Sequence, residues 1–229
     1  MGKTNGLVGG VTGKIGNVVG YYRRGKFLAR AYNPNTTNVR SLGQRLQRAR
    51  FKTITNLLNG ARSLYNVGFY MAAPSYQRGF CLKACMDAVT AVTPDEVTVD
   101  YSKLQLSANQ LDVVLQSTAA SAAAGKVTFT NVLPDSSFVD NLPEEYSIAA
   151  NLKVMVGLYC PTLNQWKSVI ADYTDAASIE VTCDDSWKGE KVHGYAFIVD
   201  NPERVLVENG SPAMVSATAY AGEVTVANA

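Results

Sequence analysis

Not one Asp or Glu occurs in the first 86 residues, which carry fourteen Lys or Arg; the first acid is Asp87. The rest of the chain holds all nineteen acids against seven bases, so the formal charge of +2 is +14 set against −12. A stretch without acids cannot form salt bridges within itself, which excludes any fold that balances its charge locally. Its bases must face solvent, a polyanion, an acidic surface on another subunit, or the chain's own acidic part. This asymmetry points to binding or assembly before it points to catalysis.

At 229 residues and 47% apolar content, the chain has room for one or two domains with a real core, and disorder throughout is excluded. No run approaches the roughly twenty apolar residues of a membrane span. Lys3 is followed by no continuous apolar stretch, so neither a secretory signal nor a membrane partner is expected. His193 is the only histidine, and Cys81, Cys85, Cys160 and Cys183 lack the close spacing of a zinc site. Reduced, partly buried thiols are expected, with no metal, disulfide or cofactor.

Residues 1–35 read as a basic arm. Eight of the first 25 residues are glycine. Ile15 to Tyr22 and Lys26 to Tyr32 read as two strands around an Arg24-Gly25 turn, a β-hairpin. Alternation puts Lys26, Leu28, Arg30 and Tyr32 on one side, and Phe27, Ala29 and Ala31 on the other. Arginines interleaved with tyrosines can grip phosphates and stack on bases, though an ordinary hairpin with solvated charges fits equally well. Gly9-Gly10-Val11-Thr12-Gly13-Lys14 imitates a phosphate-binding loop, but the glycine spacing is one residue short. Ile15 also follows the lysine where Ser or Thr would ligate magnesium. Nucleotide binding is set aside.

Residues 36–94 read as a helical block with two helices. Ser41 caps the first, which carries Leu42, Leu46, Ala49, Thr53 and Leu57 on one face. Arg45, Arg48 and Lys52 form a strip beside that face, with Arg50 on the opposite flank. Asn59-Gly60 breaks this helix, and Tyr65 to Ala73 reads as an aromatic-rich connection. Pro74 opens a second helix to about Val92, ended by Thr93-Pro94-Asp95.

Residues 95–229 read as an acidic β domain. Candidate strands are Val97 to Leu106, Asp112 to Gln116, Lys126 to Val132, Lys153 to Tyr159 and Trp166 to Asp172. Ser178 to Cys183, Val192 to Val199, Val205 to Val207 and Met214 to Val226 follow. The whole chain is thus α+β but mainly β: a glycine-rich hairpin arm, two helices, then an antiparallel β-sandwich of immunoglobulin-like or jelly-roll topology. Trp166 and Trp187 are assigned to its core. One histidine leaves triads and metalloprotease motifs without partners, and the carboxylate pairs Asp184-Asp185, Glu144-Glu145 and Asp172/Asp175 read as solvated loops.

Three stretches carry a likeness. They are Gly9-Gly10-x-x-Gly13-Lys14-x-Gly16-Asn17-Val18-Val19, then Arg24-Gly25-Lys26 with Arg30, then Ser41-x-x-Gln44-x-x-Gln47-Arg48-Ala49-x-Phe51. Together they resemble a family of uncharacterised proteins from Bacteroidetes bacteria and their phages. Asp100-Tyr101-Ser102-Lys103-Leu104-x-Leu106-Ser107 is similar to the start of that family's C-terminal β region. A tryptophan common in the family's first strand is replaced by Tyr21-Tyr22. The resemblance implies lineage and architecture, raises a phage origin, and carries over no catalytic residue.

The expectation is a non-enzymatic structural protein of a phage virion, a capsid or capsid-associated subunit. It would self-assemble into a larger homo- or hetero-oligomer, in the virion or in the cytoplasm of a bacterial host. Lys14, Arg23, Arg24, Lys26, Arg30, Arg45, Arg48, Arg50 and Lys52 are the candidate contacts to nucleic acid or to neighbouring subunits. The alternatives are a cytoplasmic, non-specific nucleic-acid-binding protein and a β-sandwich binding module.

Overall fold

The computed structural model describes residues 3–4, 11–34, 41–70, 72–93, 96–110, 113, 115–134, 152–200 and 215–228. The chain divides into two compact units, an arm of Met1–Ser41 and a body of Leu42–Ala229.

The arm is an antiparallel sheet of β1 (Lys3–Thr4), β2 (Val11–Ile15), β3 (Val18–Arg23) and β4 (Lys26–Ala31), in that spatial order. The expected turn at Arg24-Gly25 joins β3 to β4, both residues having positive φ as a two-residue hairpin loop requires. The expected single strand from Ile15 to Tyr22 is instead two strands. Gly16, at φ 55°, turns the chain between Ile15 and Val18, so the hairpin becomes a meander.

In the body, α1 (Leu42–Leu57) starts where expected, directly after Ser41. The connection expected from Tyr65 instead begins inside a further helix, α2 (Arg62–Gly68), so three α-helices lie among the described residues. The next, α3 (Pro74–Cys85), ends earlier than expected. A 3-10 turn over Met86–Ala88 follows, and then β5 (Val89–Val92) pairs with β6 (Val97–Val99). Thr93 therefore closes a hairpin, accepting from the Glu96 amide at its hydroxyl while its own amide donates to the Glu96 carbonyl.

Seven longer strands complete the body: β7 (Gln116–Ala120), β8 (Lys126–Val132), β9 (Leu152–Cys160), β10 (Gln165–Asp172), β11 (Ser178–Thr182), β12 (Lys191–Asp200) and β13 (Ala219–Thr225). They form two antiparallel sheets, ordered β11-β8-β7 and β10-β9-β12-β13. Lettered A to G along the chain, the sheets are E-B-A and D-C-F-G. An immunoglobulin constant domain sets A, B, E and D against C, F and G. Here, among the described strands, the fourth has changed sheets, a variant of the immunoglobulin-like order. The expected strand from Val205 to Val207 lies outside the described residues.

The four-stranded sheet is covered on both faces. On β9 and β12, Val154, Val156, Leu158, Ala196 and Ile198 pack with Phe129, Val181 and Trp187 of the sandwich interior. Their alternates Met155, Tyr159, Tyr195 and Phe197 pack with Ile54, Leu58, Leu64, Cys81 and Cys85 of the helical layer. Strands buried on both faces read as continuous apolar runs, which is how Val154 to Cys160 and Ala196 to Val199 read. Two glycines let the layers close. A Cβ on Gly157 would lie 2.7 Å from Leu64 Cδ1, and one on Gly194 would lie 2.9 Å from Phe129 Cε1. Trp187 is fully buried, whereas Trp166 is half-buried on the helical side, its indole N–H donating to the Leu57 carbonyl at 2.7 Å.

Candidate nucleic-acid and subunit interface

Strand register decides what the arm presents. Lys14 pairs with Val19 and Val19 with Arg30, while Arg23 pairs with Lys26. Directly opposed residues share a face, so Lys14, Arg23, Lys26 and Arg30 stand on one side of the sheet, with Tyr21 and Leu28. Rows on one face repeat about every 7 Å along a strand and 4.8 Å across strands. Four cations thus occupy a patch small enough to meet a single phosphate backbone. Lys14 Nζ lies 3.6 Å from the centre of the Tyr32 ring, which holds it beside an aromatic face. Arg24 sits in the hairpin turn, at φ 52°.

The opposite face carries Ile15, Val18, Tyr22, Phe27, Ala29 and Ala31 around Gly20. Its large side chains are exposed, and Ile15, Val18, Gly20, Phe27 and Ala29 line a shallow groove of about 390 Å³. Sequence reasoning placed Phe27, Ala29 and Ala31 there but gave the face no role. The available signal was the alternation itself, read as two faces instead of one.

On α1, Arg45, Arg48 and Lys52 are exposed and spaced three and four apart, so they share one side of the helix. Arg50 is half-buried, and its Nε lies buried without a hydrogen-bond acceptor among the described residues. The expected apolar face of this helix is shifted. Leu42 is 60% exposed and Phe51 52%, whereas Ile54 and Leu57 are the buried anchors. The buried side chains of α1 lie in its last turn, while Leu46 and Ala49 are only half-buried. Phe51 joins Gln47, Arg48, Lys52, Thr55 and Asn56 around a second shallow groove. Arg78, another base of the acid-free stretch, plays a structural part. Its guanidinium donates to the Asn59 side chain at 2.6 Å and to the Thr55 carbonyl at 3.2 Å, closing the C-terminal end of α1.

The acidic part of the chain handles its charge differently. Among the described residues, six ion pairs join lysines 103, 126, 153, 167, 188 and 191 to Asp100, Glu180, Asp172, Asp184, Asp185 and Glu223. The Lys191 hydrogen bond holds the Glu223 carboxyl below its usual range, and Lys188 does the same for Asp185. None of these six pairs draws on the nine candidate bases.

Several titratable groups are buried in the body. Cys81, Cys85, Cys160 and Cys183 are free and buried. The Cys81 and Cys85 sulfurs lie 4.0 Å apart and both reach the Gln105 carbonyl; that pairing, then burial, pushes the Cys81 thiol far up. His193 shares a 2.8 Å hydrogen bond with the Tyr220 hydroxyl and stacks on Tyr101 at 4.2 Å. Among the described residues no cluster of three or more His, Cys, Asp or Glu is arranged to hold a metal ion, and no helix is long and apolar enough to cross a membrane.

The family model described as "Family of unknown function (DUF6266)" matches residues 10–209. The chain belongs to that family. The DUF6266 match starts inside the arm and runs through most of the body, so both units are part of what the family shares. No curated protein matches the chain.

Proposed function

We propose that this DUF6266 protein is a non-enzymatic structural subunit of a phage particle, a capsid or capsid-associated component, whose basic N-terminal region contacts nucleic acid. One observation carries the reading: Lys14, Arg23, Lys26 and Arg30 share a sheet face in a stretch that contains no acid. Such a face neutralises phosphates by releasing counterions and reads no base sequence. Tyr21, on the same face, offers a ring for stacking. Repeated over many copies, it suits a packaged genome. The sandwich body supplies the shell or its decoration, and the resemblance over about residues 8–51 to proteins of Bacteroidetes bacteria and their phages supports the setting.

The test is sedimentation velocity of the purified chain at low and high salt, followed at 260 and 280 nm. Large particles carrying 260 nm absorbance are expected, and deletion of residues 1–35 is expected to leave a folded body that neither assembles nor retains nucleic acid. An arm-less chain that still forms such particles overturns the proposal. A small species whose nucleic-acid affinity falls steeply with salt supports the runner-up, a cytoplasmic non-specific binder using the same face.

A further inference from the structure

Two cysteines in the body converge on one backbone carbonyl. Cys81 and Cys85 lie four apart on α3, so both side chains leave the helix on one face, and both are 0% exposed. Their sulfurs stand 4.0 Å apart, and the Gln105 carbonyl oxygen lies 3.6 Å from the first and 3.2 Å from the second. Three atoms so separated lie on a circle whose centre is about 2.1 Å from each of them. Metal bonds to oxygen and sulfur span roughly 2.0–2.3 Å, so a cation at that centre would reach all three donors.

The carbonyl is held in place from its other side. The peptide that carries it also carries the Leu106 N–H, which donates to Thr218 Oγ1 at 2.9 Å. That hydroxyl in turn shares a 2.7 Å hydrogen bond with Ser107 Oγ. A planar peptide whose N–H is fixed has its C=O fixed in the opposite direction. Among the described residues the carbonyl's hydrogen-bond partners are the two sulfurs, and an S–H is a weak donor. A buried acceptor served so weakly keeps its lone pairs for a cation.

Chemistry narrows the occupant. A disulfide needs Cβ atoms about 3.5–4.5 Å apart, whereas helix positions four apart hold theirs about 5–6 Å apart, so joining the sulfurs would unwind the end of α3. Zinc takes four ligands, and among the described residues no His, Asp, Glu or further Cys joins this pair in a group of three. Soft thiolates in low coordination number select a soft d10 cation. We infer that Cys81, Cys85 and the Gln105 carbonyl form a buried site for one such cation, Cu(I) or Hg(II). Each thiol releases its proton to solvent as the cation enters, which leaves the site neutral with Hg(II) and singly negative with Cu(I). With both sulfurs sealed from solvent, uptake accompanies folding and shows as added stability.

The full chain is refolded from urea without oxygen, with one equivalent of Hg(II), Cu(I) or Zn(II), and read by native mass spectrometry and thermal unfolding. One retained cation per chain and a raised Tm are expected with Hg(II) or Cu(I), and no retained Zn(II). Cys81→Ala with Cys85→Ala should lose both the cation and the rise in Tm. Cys160→Ala with Cys183→Ala removes the other two buried thiols and should keep both. Because the first double variant risks misfolding, Thr218→Val leaves all four cysteines in place and loosens only the carbonyl's support. It should lower retention against a competing chelator by about tenfold or more. A wild-type chain that retains neither soft ion overturns the site, as does an ion lost with Cys160 and Cys183 but kept without Cys81 and Cys85. Firm retention of Zn(II) by Cys81 and Cys85 would overturn the low-coordination assignment.

Discussion

The arm and the body are made by one chain and solve the same problem in opposite ways. In the body, large apolar side chains such as Trp187, Phe129, Tyr195 and Phe197 are fully buried, and lysines from 103 to 191 find carboxylates. In the arm, large apolar side chains such as Ile15, Val18 and Phe27 remain exposed and the bases have no acid within reach in sequence. Among the described residues, the body pairs six of its lysines with its own carboxylates, while the arm carries its bases and several large apolar side chains at the surface.

That contrast can be broken most severely in the body. Trp187→Ala should cost about 3–5 kcal/mol, read as a lowered midpoint in urea unfolding, because it empties a fully buried site in the sandwich interior. A matching truncation in the arm, Tyr22→Ala, should leave the body's midpoint where it was. Next in size, deleting residues 1–35 should shift the body's Tm by less than about 2 °C, under the roughly 2–4 °C that one kcal/mol moves a domain of this size. A larger drop would mean the body does depend on the arm, and the contrast would fail.

The smallest effect is one of pH. Burial pushes the His193 imidazole below its ordinary 6.5, against a weaker opposing pull from Glu223, while Lys191 pushes the same way as burial. The neighbouring Tyr220 hydroxyl and Tyr101 ring carry no charge near neutrality. The unfolded chain therefore takes up a proton near pH 6.5 before the folded chain does. Stability is fully present above that value, falls as the pH drops below it, and levels off once the folded imidazole also protonates. His193→Gln should flatten the difference in Tm between about pH 7.5 and about pH 5.5.

Much of this architecture was legible because its signals are local. The strand Lys126 to Val132 has the expected limits, and the Arg24-Gly25 turn and the start of α1 at Leu42 follow from turn and cap chemistry. The errors arose where one local signal hid another. Ile15 and Val18 both favour strands and masked the Gly16 turn between them. In α2, Gly60 before it and Gly68 within it disguised a short helix, yet Gly68 is required there because a Cβ would collide with the Leu106 backbone. The run from Met86 to Val92 continued an apolar pattern, but its β-branched end pairs with Val97 to Val99. The site was half legible. Alternation placed Lys26 and Arg30 together, whereas bringing Lys14 and Arg23 onto the same face needs the pairing of β2 with β3 and of β3 with β4. Long-range register is not written in any one segment.

The doubly covered sheet has a consequence for how the body comes apart. Since β9 and β12 are a wall common to the sandwich interior and the helical layer, neither can melt while the other stays sealed. Helices cannot be shed without wetting Met155, Tyr159, Tyr195 and Phe197. The two interiors should therefore unfold as one cooperative unit, and the slowest-exchanging amides in the molecule should be those of Val154 to Leu158 and Ala196 to Val199.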